Sequence, residues 1–156
     1  MTDNNPYIFD LILKDLKIES WIDFKSKKVV LKLFKPLTGL DYKIYVLHTN
    51  NKVLYVGTTK RSIKNRLNGG LNADGKNGYH GYKWKNLNTI KILIWNFKDL
   101  DKEKIENIEA ELVYIIRKET GRWPELQNEI HFNNHYQNTG NSLAILMYKQ
   151  ITNING

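Results

Sequence analysis

The sequence contains no cysteine, no long apolar run and no repeated or low-complexity segment. Without cysteine the chain can form neither a disulfide nor a zinc–thiolate site, which is consistent with a reducing compartment. No apolar stretch reaches the ~20 residues that a membrane-spanning helix needs, and the acidic, polar start MTDNNPYIFD is unlike a signal peptide. These absences predict a soluble, cytoplasmic protein that has no membrane partner.

The chain is small and strongly basic. Its 156 residues are the size of one domain, which can bury roughly 70% of the unfolded surface. Lysine and arginine number 24 against 16 acidic residues, a formal net charge of +8. This excess favours a polyanionic partner, nucleic acid first and an anionic membrane second, although a lysine-rich surface also serves solubility alone. Arginine is scarce, so one specific arginine is more informative than any one lysine.

The first half of the chain predicts an extension followed by a hairpin. Apolar residues recur near helical spacing within 6–24, and the run VVLKLF at 29–34 predicts a strand that ends at Pro36. Two apolar runs, KIYVL and VLYVG, then flank the polar joint HTNNK. Ser62 is the predicted N-cap of a short helix, IKNRL, that stops at Gly69-Gly70. The glycine- and asparagine-rich stretch 68–81 predicts a long, functional loop.

The second half predicts a central strand and two helices. Thr89–Phe97 is apolar on both faces, as buried strands are. A helix is expected from Asp101 to about Thr120, where Gly121 ends it, and 140–151 predicts a last helix with Ser142 as its cap. The predicted fold class is α+β, a small, mostly antiparallel three-stranded central sheet flanked by helices. An N-terminal helix/strand extension (1–40), a core (41–134) and a C-terminal helix (135–156) form one predicted domain, 1–156.

The hairpin raises the question of whether its two tyrosines share a face. With a two-residue turn at Asn50-Asn51, Tyr45 and Tyr55 point to opposite sides of the sheet. With a three-residue loop from Thr49 to a left-handed Asn51, they pair directly, and a bulge also brings them together. Turn chemistry alone leaves both connections open. A shared site requires a loop of odd length or a bulge.

The hairpin and the helix after it resemble the signature of the GIY-YIG nuclease superfamily. The matching pieces are Ile44-Tyr45, Tyr55-Val56-Gly57 and Arg66, with Lys43 in place of the first glycine of the name. Further along, HGYKWKNL places His80 where members often carry a histidine. ELVYI places Glu111 ahead of Tyr114-Ile115, and LQNEIHF offers Asn128. The resemblance covers Lys43 to about Phe132 and includes a likeness to small members related to restriction enzymes.

The resemblance implies hydrolysis of DNA phosphodiesters with one divalent metal, Mg²⁺, for which Mn²⁺ substitutes. Glu111 is the implied metal ligand, and Arg66 clamps the scissile phosphate with two hydrogen bonds. Tyr45 is the implied general base, which requires that Arg66 and the metal lower the pKa of its phenol. Tyr55 positions phosphate or water. His80 assists proton transfer or binds phosphate, and Asn128 holds the site together.

Some assignments have rivals within the sequence. On a helical wheel Glu109 lies nearer the apolar stripe than Glu111, whereas the family spacing to Tyr114-Ile115 favours Glu111. Tyrosines in strands are commonly half-buried sheet aromatics, and a loop histidine such as His80 commonly has no role. The expected DNA-binding residues flank the proposed site: Gly57, Lys60, Arg61, Lys64, Lys83 and Lys85.

The sequence therefore predicts a metal-dependent DNA endonuclease that acts on double-stranded DNA, of the restriction type, and a homodimer if it cuts both strands of a symmetric site. A non-catalytic nucleic-acid-binding module that keeps the fold is the alternative. A repair or mobile-element nuclease is another.

Overall fold

The computed structural model of the protein describes residues 5–49, 52–78, 80–127 and 140–154. The described strands form one antiparallel sheet of five strands in the order β2-β1-β5-β3-β4. Its strands are β1 (Tyr7–Lys14), β2 (Lys17–Asp23), β3 (Tyr42–Thr49), β4 (Lys52–Thr59) and β5 (Thr89–Phe97). Its helices are α1 (Ile63–Leu71), α2 (Lys102–Thr120) and α3 (Asn141–Asn153), with a short 3₁₀ helix at Lys83–Asn86. The α+β class is confirmed, but the prediction of three strands is wrong.

The N-terminal extension is a β-hairpin rather than a helix. Burial alternates along β1, where Phe9, Leu11 and Leu13 point into the core. Asp15 and Leu16 form a two-residue turn with φ of 51° and 59°, the left-handed conformation that tight hairpins require. A short apolar run fits both the helical and the strand period, and here pairing of β1 with β5 selects the strand. Only one isolated bridge, Ile22 to Val29, remains of the strand predicted at 29–34.

The central strand was predicted correctly. β5 lies between β1 and β3, which explains why it is apolar on both faces. Ile90, Ile92 and Ile94 pack into the core on one side of the sheet. Leu93, Trp95 and Phe97 pack into the core on the other side.

The helix caps follow the local sequence, with two corrections. Ser62 accepts a hydrogen bond from the Asn65 amide and caps α1, but α1 continues through Gly69-Gly70 to Leu71. Asp101 caps α2, and Gly121 ends it with φ of 74°, as predicted. The cap of α3 is Gly140 rather than Ser142, which lies inside the helix.

The two faces of the sheet carry different elements. The first core joins the sheet to α1 and to Leu33 and Leu37 of the segment before β3. The second core joins it to α2 and α3. Among the helices of the described residues, none combines the length and the apolar character that crossing a membrane requires. The cytoplasmic location and the division into one domain stay predictions.

Candidate active site

A β-bulge brings the two tyrosines of the hairpin onto one face. Leu47 pairs with Tyr55 and His48 pairs with Val53, which leaves Leu54 as an extra residue in β4. The ring centroids of Tyr45 and Tyr55 lie 5.9 Å apart. Thr49 pairs with Lys52, so the three-residue loop is wrong, and residues 50–51 lie outside the described part of the chain. Of the connections considered, the bulge is the one that occurs.

Gly57 lies directly beneath both phenols. A Cβ atom at this position would lie 2.6 Å from a ring carbon of Tyr55 and 2.7 Å from the hydroxyl oxygen of Tyr45. The glycine is buried and accommodates the two rings, and its contact with DNA stays a prediction. Any side chain here displaces at least one phenol.

A third phenol, Tyr82, completes the cluster and was missed by the sequence analysis. Its hydroxyl lies 3.2 Å from the Tyr45 hydroxyl and donates a hydrogen bond of 3.2 Å to the backbone carbonyl of Arg66. Since a phenol has one proton, Tyr45 is the donor to Tyr82. Gly70 makes the room, because a Cβ there would collide with the Tyr82 ring. This packing of a loop tyrosine over a helix glycine has no signal in the local sequence.

Arg66 projects from α1 into the tyrosine cluster. Its guanidinium lies 5.7 Å from the centre of the Tyr82 ring and is half-buried. Burial alone lowers the pKa of Arg66, but interaction with the phenols of Tyr45 and Tyr82 outweighs it, so the pKa is raised. The buried Nε atom has no hydrogen-bond partner among the described residues. The guanidinium is therefore held charged beside the phenols.

In the metal-free protein the environment of Tyr45 raises its pKa, opposite to the direction that a general base requires. The residue is 0% exposed. Burial, and then the neighbouring phenols of Tyr82 and Tyr55, raise the pKa of Tyr45 well above its ordinary value, and Arg66 only partly opposes them. A neutral, buried phenol that already donates to Tyr82 is a poor general base. Tyr55, which is only partly buried, is the more accessible phenol.

Glu109 is the carboxylate of α2 that interacts with Thr58 of β4 and with Arg66. Burial, with a smaller contribution from Glu106, raises the pKa of Glu109 to about 7, although the Thr58 hydroxyl and the Arg66 guanidinium act in the opposite direction. Glu109 comes from α2 and Arg66 from α1, on opposite faces of the sheet, and both approach the end of edge strand β4. No ion pair within 4.0 Å joins Arg66 to any carboxylate of the described residues. The two charges interact across the end of this strand without closing into a salt bridge.

Glu111, the ligand implied by the resemblance, lies elsewhere on α2. Residues two positions apart in an α-helix differ by about 200° around the helix axis. The side chain of Glu111 therefore projects from a different side of α2 than that of Glu109. Glu111 forms no ion pair with any described residue. The geometry favours Glu109, which the helical wheel had indicated.

Gln127 holds the edge strand on which the cluster is built. Its side-chain carbonyl accepts from the Val56 amide at 2.9 Å, and its side-chain NH₂ donates to the Val56 carbonyl at 3.0 Å. The amides of Glu125 and Leu126 continue this cover along the same edge. Gln127 was not predicted to be a site residue. Asn128, which was, lies outside the described residues.

His80 and the predicted DNA-binding cations have separate environments. The His80 side chain is exposed and packs against Gly75, and none of its contacts with described residues reaches the phenols. The Lys85 ammonium donates to the carbonyls of His80 and Ala73, which gives it a structural role in this loop. The other predicted cations are exposed on the surface: Lys60, Arg61, Lys64 and Lys83.

Lys43 occupies the position of the first glycine in the family name, and its side chain is buried. Its ammonium donates to the carbonyls of Gly39, Asp41 and Arg61 at 2.9, 2.7 and 3.4 Å. Desolvation lowers the pKa of Lys43, and Asp41 opposes this. The side chain fastens the segment before β3 to the start of α1.

Comparison with known proteins gives one family. Residues 42–125 match the model of the GIY-YIG catalytic domain, which is more than half of the chain. Searches of curated proteins and of solved structures found no significant match. The resemblance of the hairpin and of α1 is therefore confirmed. The protein belongs to the GIY-YIG nuclease superfamily, whose members are nucleases that generally depend on a divalent metal.

Proposed function

We propose that this protein is a Mg²⁺-dependent DNA endonuclease whose site is formed by Arg66, Glu109 and Tyr55. The observation that carries the proposal is the Arg66 guanidinium beside the phenol cluster, with the Glu109 carboxyl bound to Thr58 of β4 and within electrostatic reach of that guanidinium. Phosphodiester hydrolysis needs a cation to bind the phosphate and a carboxylate to hold a metal. The basic surplus of the chain supports a nucleic-acid substrate.

The donors present fit a single hydrated Mg²⁺ ion. Among the described residues no group of three His, Asp or Glu side chains forms an all-protein metal cage. Mg²⁺ does not need one, since it is bound by one or two carboxylates together with waters and substrate phosphates. A carboxyl whose pKa is raised to about 7 is stabilised in its charged form by a cation. When bound, the metal supplies positive charge that polarises the phosphate and lowers the pKa of water.

The residues of the chain then have distinct roles. Arg66 offers the terminal nitrogens of its guanidinium to the scissile phosphate in a two-pronged contact. Glu109 holds the metal. Tyr55, at the accessible side of the cluster, orients phosphate or water. Tyr45 and Tyr82 are positioning residues, because their hydroxyls are joined to each other and Tyr82 binds the Arg66 carbonyl.

The finer proposal is cleavage of double-stranded DNA by a restriction-type enzyme. It is supported by the likeness of AELVYIIRKETGRWPELQNEIHF to small restriction-related members. Cleavage of both strands of a symmetric site favours a homodimer. A repair or mobile-element nuclease uses the same site, and the ends and positions of the cut fragments distinguish these roles.

The test is nicking of supercoiled plasmid with Mg²⁺, with Mn²⁺ and with EDTA. We expect nicking by the wild type only with metal. Glu109→Gln should lower the rate by roughly 100- to 1000-fold, and Arg66→Lys should do the same because lysine keeps the charge but lacks the planar fork. Glu111→Gln, the same change on the same helix, is the matched control and should retain wild-type activity.

Two results contradict the proposal in different ways. Loss of activity in Glu111→Gln with retention in Glu109→Gln restores Glu111 as the metal ligand. A folded wild-type protein that binds DNA but does not nick it with either metal is a non-catalytic binding module.

A further inference from the structure

A groove runs between α1 and the N-terminal extension, outside the proposed catalytic cluster. It consists of two adjoining cavities of about 480 and 360 Å³ that share Trp21, Val30, Leu31 and Lys64. The floor and one wall come from β2 and the segment 29–33, which precede the region matched by the family, 42–125. The groove is therefore a feature of this chain and not of the catalytic domain alone.

The charges that line the groove are mostly positive. Lys17, Lys32, Arg61 and Lys64 contribute four cations, and none of them forms an ion pair with another described residue. The one lining carboxylate, Glu19, lies 3.9 Å from the Lys14 ammonium and is thereby partly neutralised. Four cations without a counter-charge are complementary to a polyanion.

The rim of the groove is apolar. Leu31 is 96% exposed and Leu40 is 75% exposed, although both line the larger cavity. Exposed apolar side chains at a groove mark an interaction site. The leucines beside the cations can pack against the C–H groups of deoxyribose between successive phosphates.

The groove lies across α1 from Arg66. Lys64 and Asn68 of α1 and its C-cap residue Asn72 line it, whereas Arg66 projects into the tyrosine cluster. Arg66 and Asn68 differ by about 200° around the helix axis. An α-helix with its side chains is about 10 Å across and a DNA strand advances about 3.4 Å per nucleotide, so a strand that crosses α1 reaches the groove roughly three nucleotides from the phosphate at Arg66.

We infer that this groove binds the sugar–phosphate backbone of the DNA substrate on one side of the scissile phosphate, through Lys17, Lys32, Arg61 and Lys64. The inference rests on the proposed function, since it takes DNA to be the substrate. It assigns the N-terminal extension to substrate binding. Asn65 and Asn68 of α1 line the groove and then lie beside these phosphate contacts, where base edges pass.

The test compares DNA binding by Lys17→Gln/Lys32→Gln with binding by Lys118→Gln/Lys149→Gln. Both double variants remove two exposed cations, the first pair at the groove and the second on α2 and α3 across the sheet. Binding of a labelled 20-base-pair duplex is measured by fluorescence anisotropy in EDTA between 50 and 300 mM salt. Because each phosphate contact contributes about 0.9 to the slope of log K against log salt, the groove variant should lose about 1.8 in slope and roughly 10- to 100-fold in affinity at 100 mM salt. The control should keep the wild-type slope.

A second measurement separates this inference from the proposed function. Hydrolysis of bis(p-nitrophenyl) phosphate with Mn²⁺ engages only the scissile-phosphate site, so the groove variant should hydrolyse it at the wild-type rate. Equal slopes for the groove variant and the control overturn the inference, whether or not the wild type cuts plasmid. If the salt slope falls in the groove variant but the wild type nicks no DNA, the groove inference holds and the nuclease proposal is overturned. A wild type that neither binds nor nicks DNA overturns both.

Discussion

Replacement of Glu109 by glutamine should make the metal-free protein more stable at pH 8 while it abolishes cleavage. In the folded chain the pKa of Glu109 is about 7, against an ordinary value of 4.5. The folded protein therefore binds this proton more tightly than the unfolded chain does. By linkage, the free energy of unfolding falls as the pH rises from 4.5 to 7, and the loss is complete above pH 7. Glutamine has a similar shape and never ionises, so the variant avoids this loss.

The magnitude follows from the pKa difference. One pKa unit corresponds to about 1.36 kcal/mol, so the change from 4.5 to about 7 amounts to about 3 kcal/mol. The side chain is partly exposed, and solvent screening makes this an upper limit. For a chain of this size, 1 kcal/mol corresponds to about 2–4 °C in Tm, so the full effect is about 6–12 °C.

The assay is urea unfolding of wild type and variant in EDTA at pH 5 and at pH 8, followed by tryptophan fluorescence. We expect the difference in unfolding free energy between the two proteins to grow by up to about 3 kcal/mol from pH 5 to pH 8. The other titrating groups are the same in both proteins, so their contributions cancel in this difference. Glu111→Gln, the same change on the same helix, is the control for the substitution itself. Parallel pH profiles for wild type and Glu109→Gln would refute the buried position of this carboxyl, and with it the site.

Mg²⁺ extends the same experiment to the metal. A cation held by Glu109 binds the folded state and not the unfolded chain, so it raises the Tm of the wild type at pH 8. The variant should show no increase. A carboxylate kept in a costly environment for the sake of a ligand is a common compromise between stability and function.

Two further predictions concern the support of the hairpin. Gly57→Ala should lower the free energy of unfolding by about 1–3 kcal/mol, because the new methyl group collides with both phenols of the hairpin. Gly69→Ala is the control, since nothing lies within 4 Å of its Cβ position, and it should be neutral or stabilising by up to about 1 kcal/mol. Urea unfolding compares the two variants. Gln127→Ala removes two hydrogen bonds to Val56 and should cost about 1–3 kcal/mol, with a lower plasmid-nicking rate. Glu125→Ala, which loses only an exposed ion pair, should change neither by a measurable amount. If a variant and its control lost the same free energy of unfolding, the contact proposed for that variant would be wrong.

The sequence alone decided those features whose cause lies within a few residues. Asp101, Ser62 and Gly121 mark helix ends because a cap bonds to, or turns back on, its own helix. The strand Thr89–Phe97 is recognisable because both of its faces are apolar. The family signature of the hairpin and α1 was recognisable for the same reason, since its residues are close together along the chain.

Tertiary structure decided the features that depend on how one helix or strand is rotated or aligned relative to another. Whether Glu109 or Glu111 faces Arg66 depends on how α2 is rotated on the sheet, and a helical wheel describes only the helix itself. The bulge at Leu54, which joins the phenols of Tyr45 and Tyr55, depends on packing over both strands. The extension became a hairpin because β5 offered it an edge, while its sequence fits two periods equally well. Local chemistry thus specified the parts, and long-range packing selected which side chains meet.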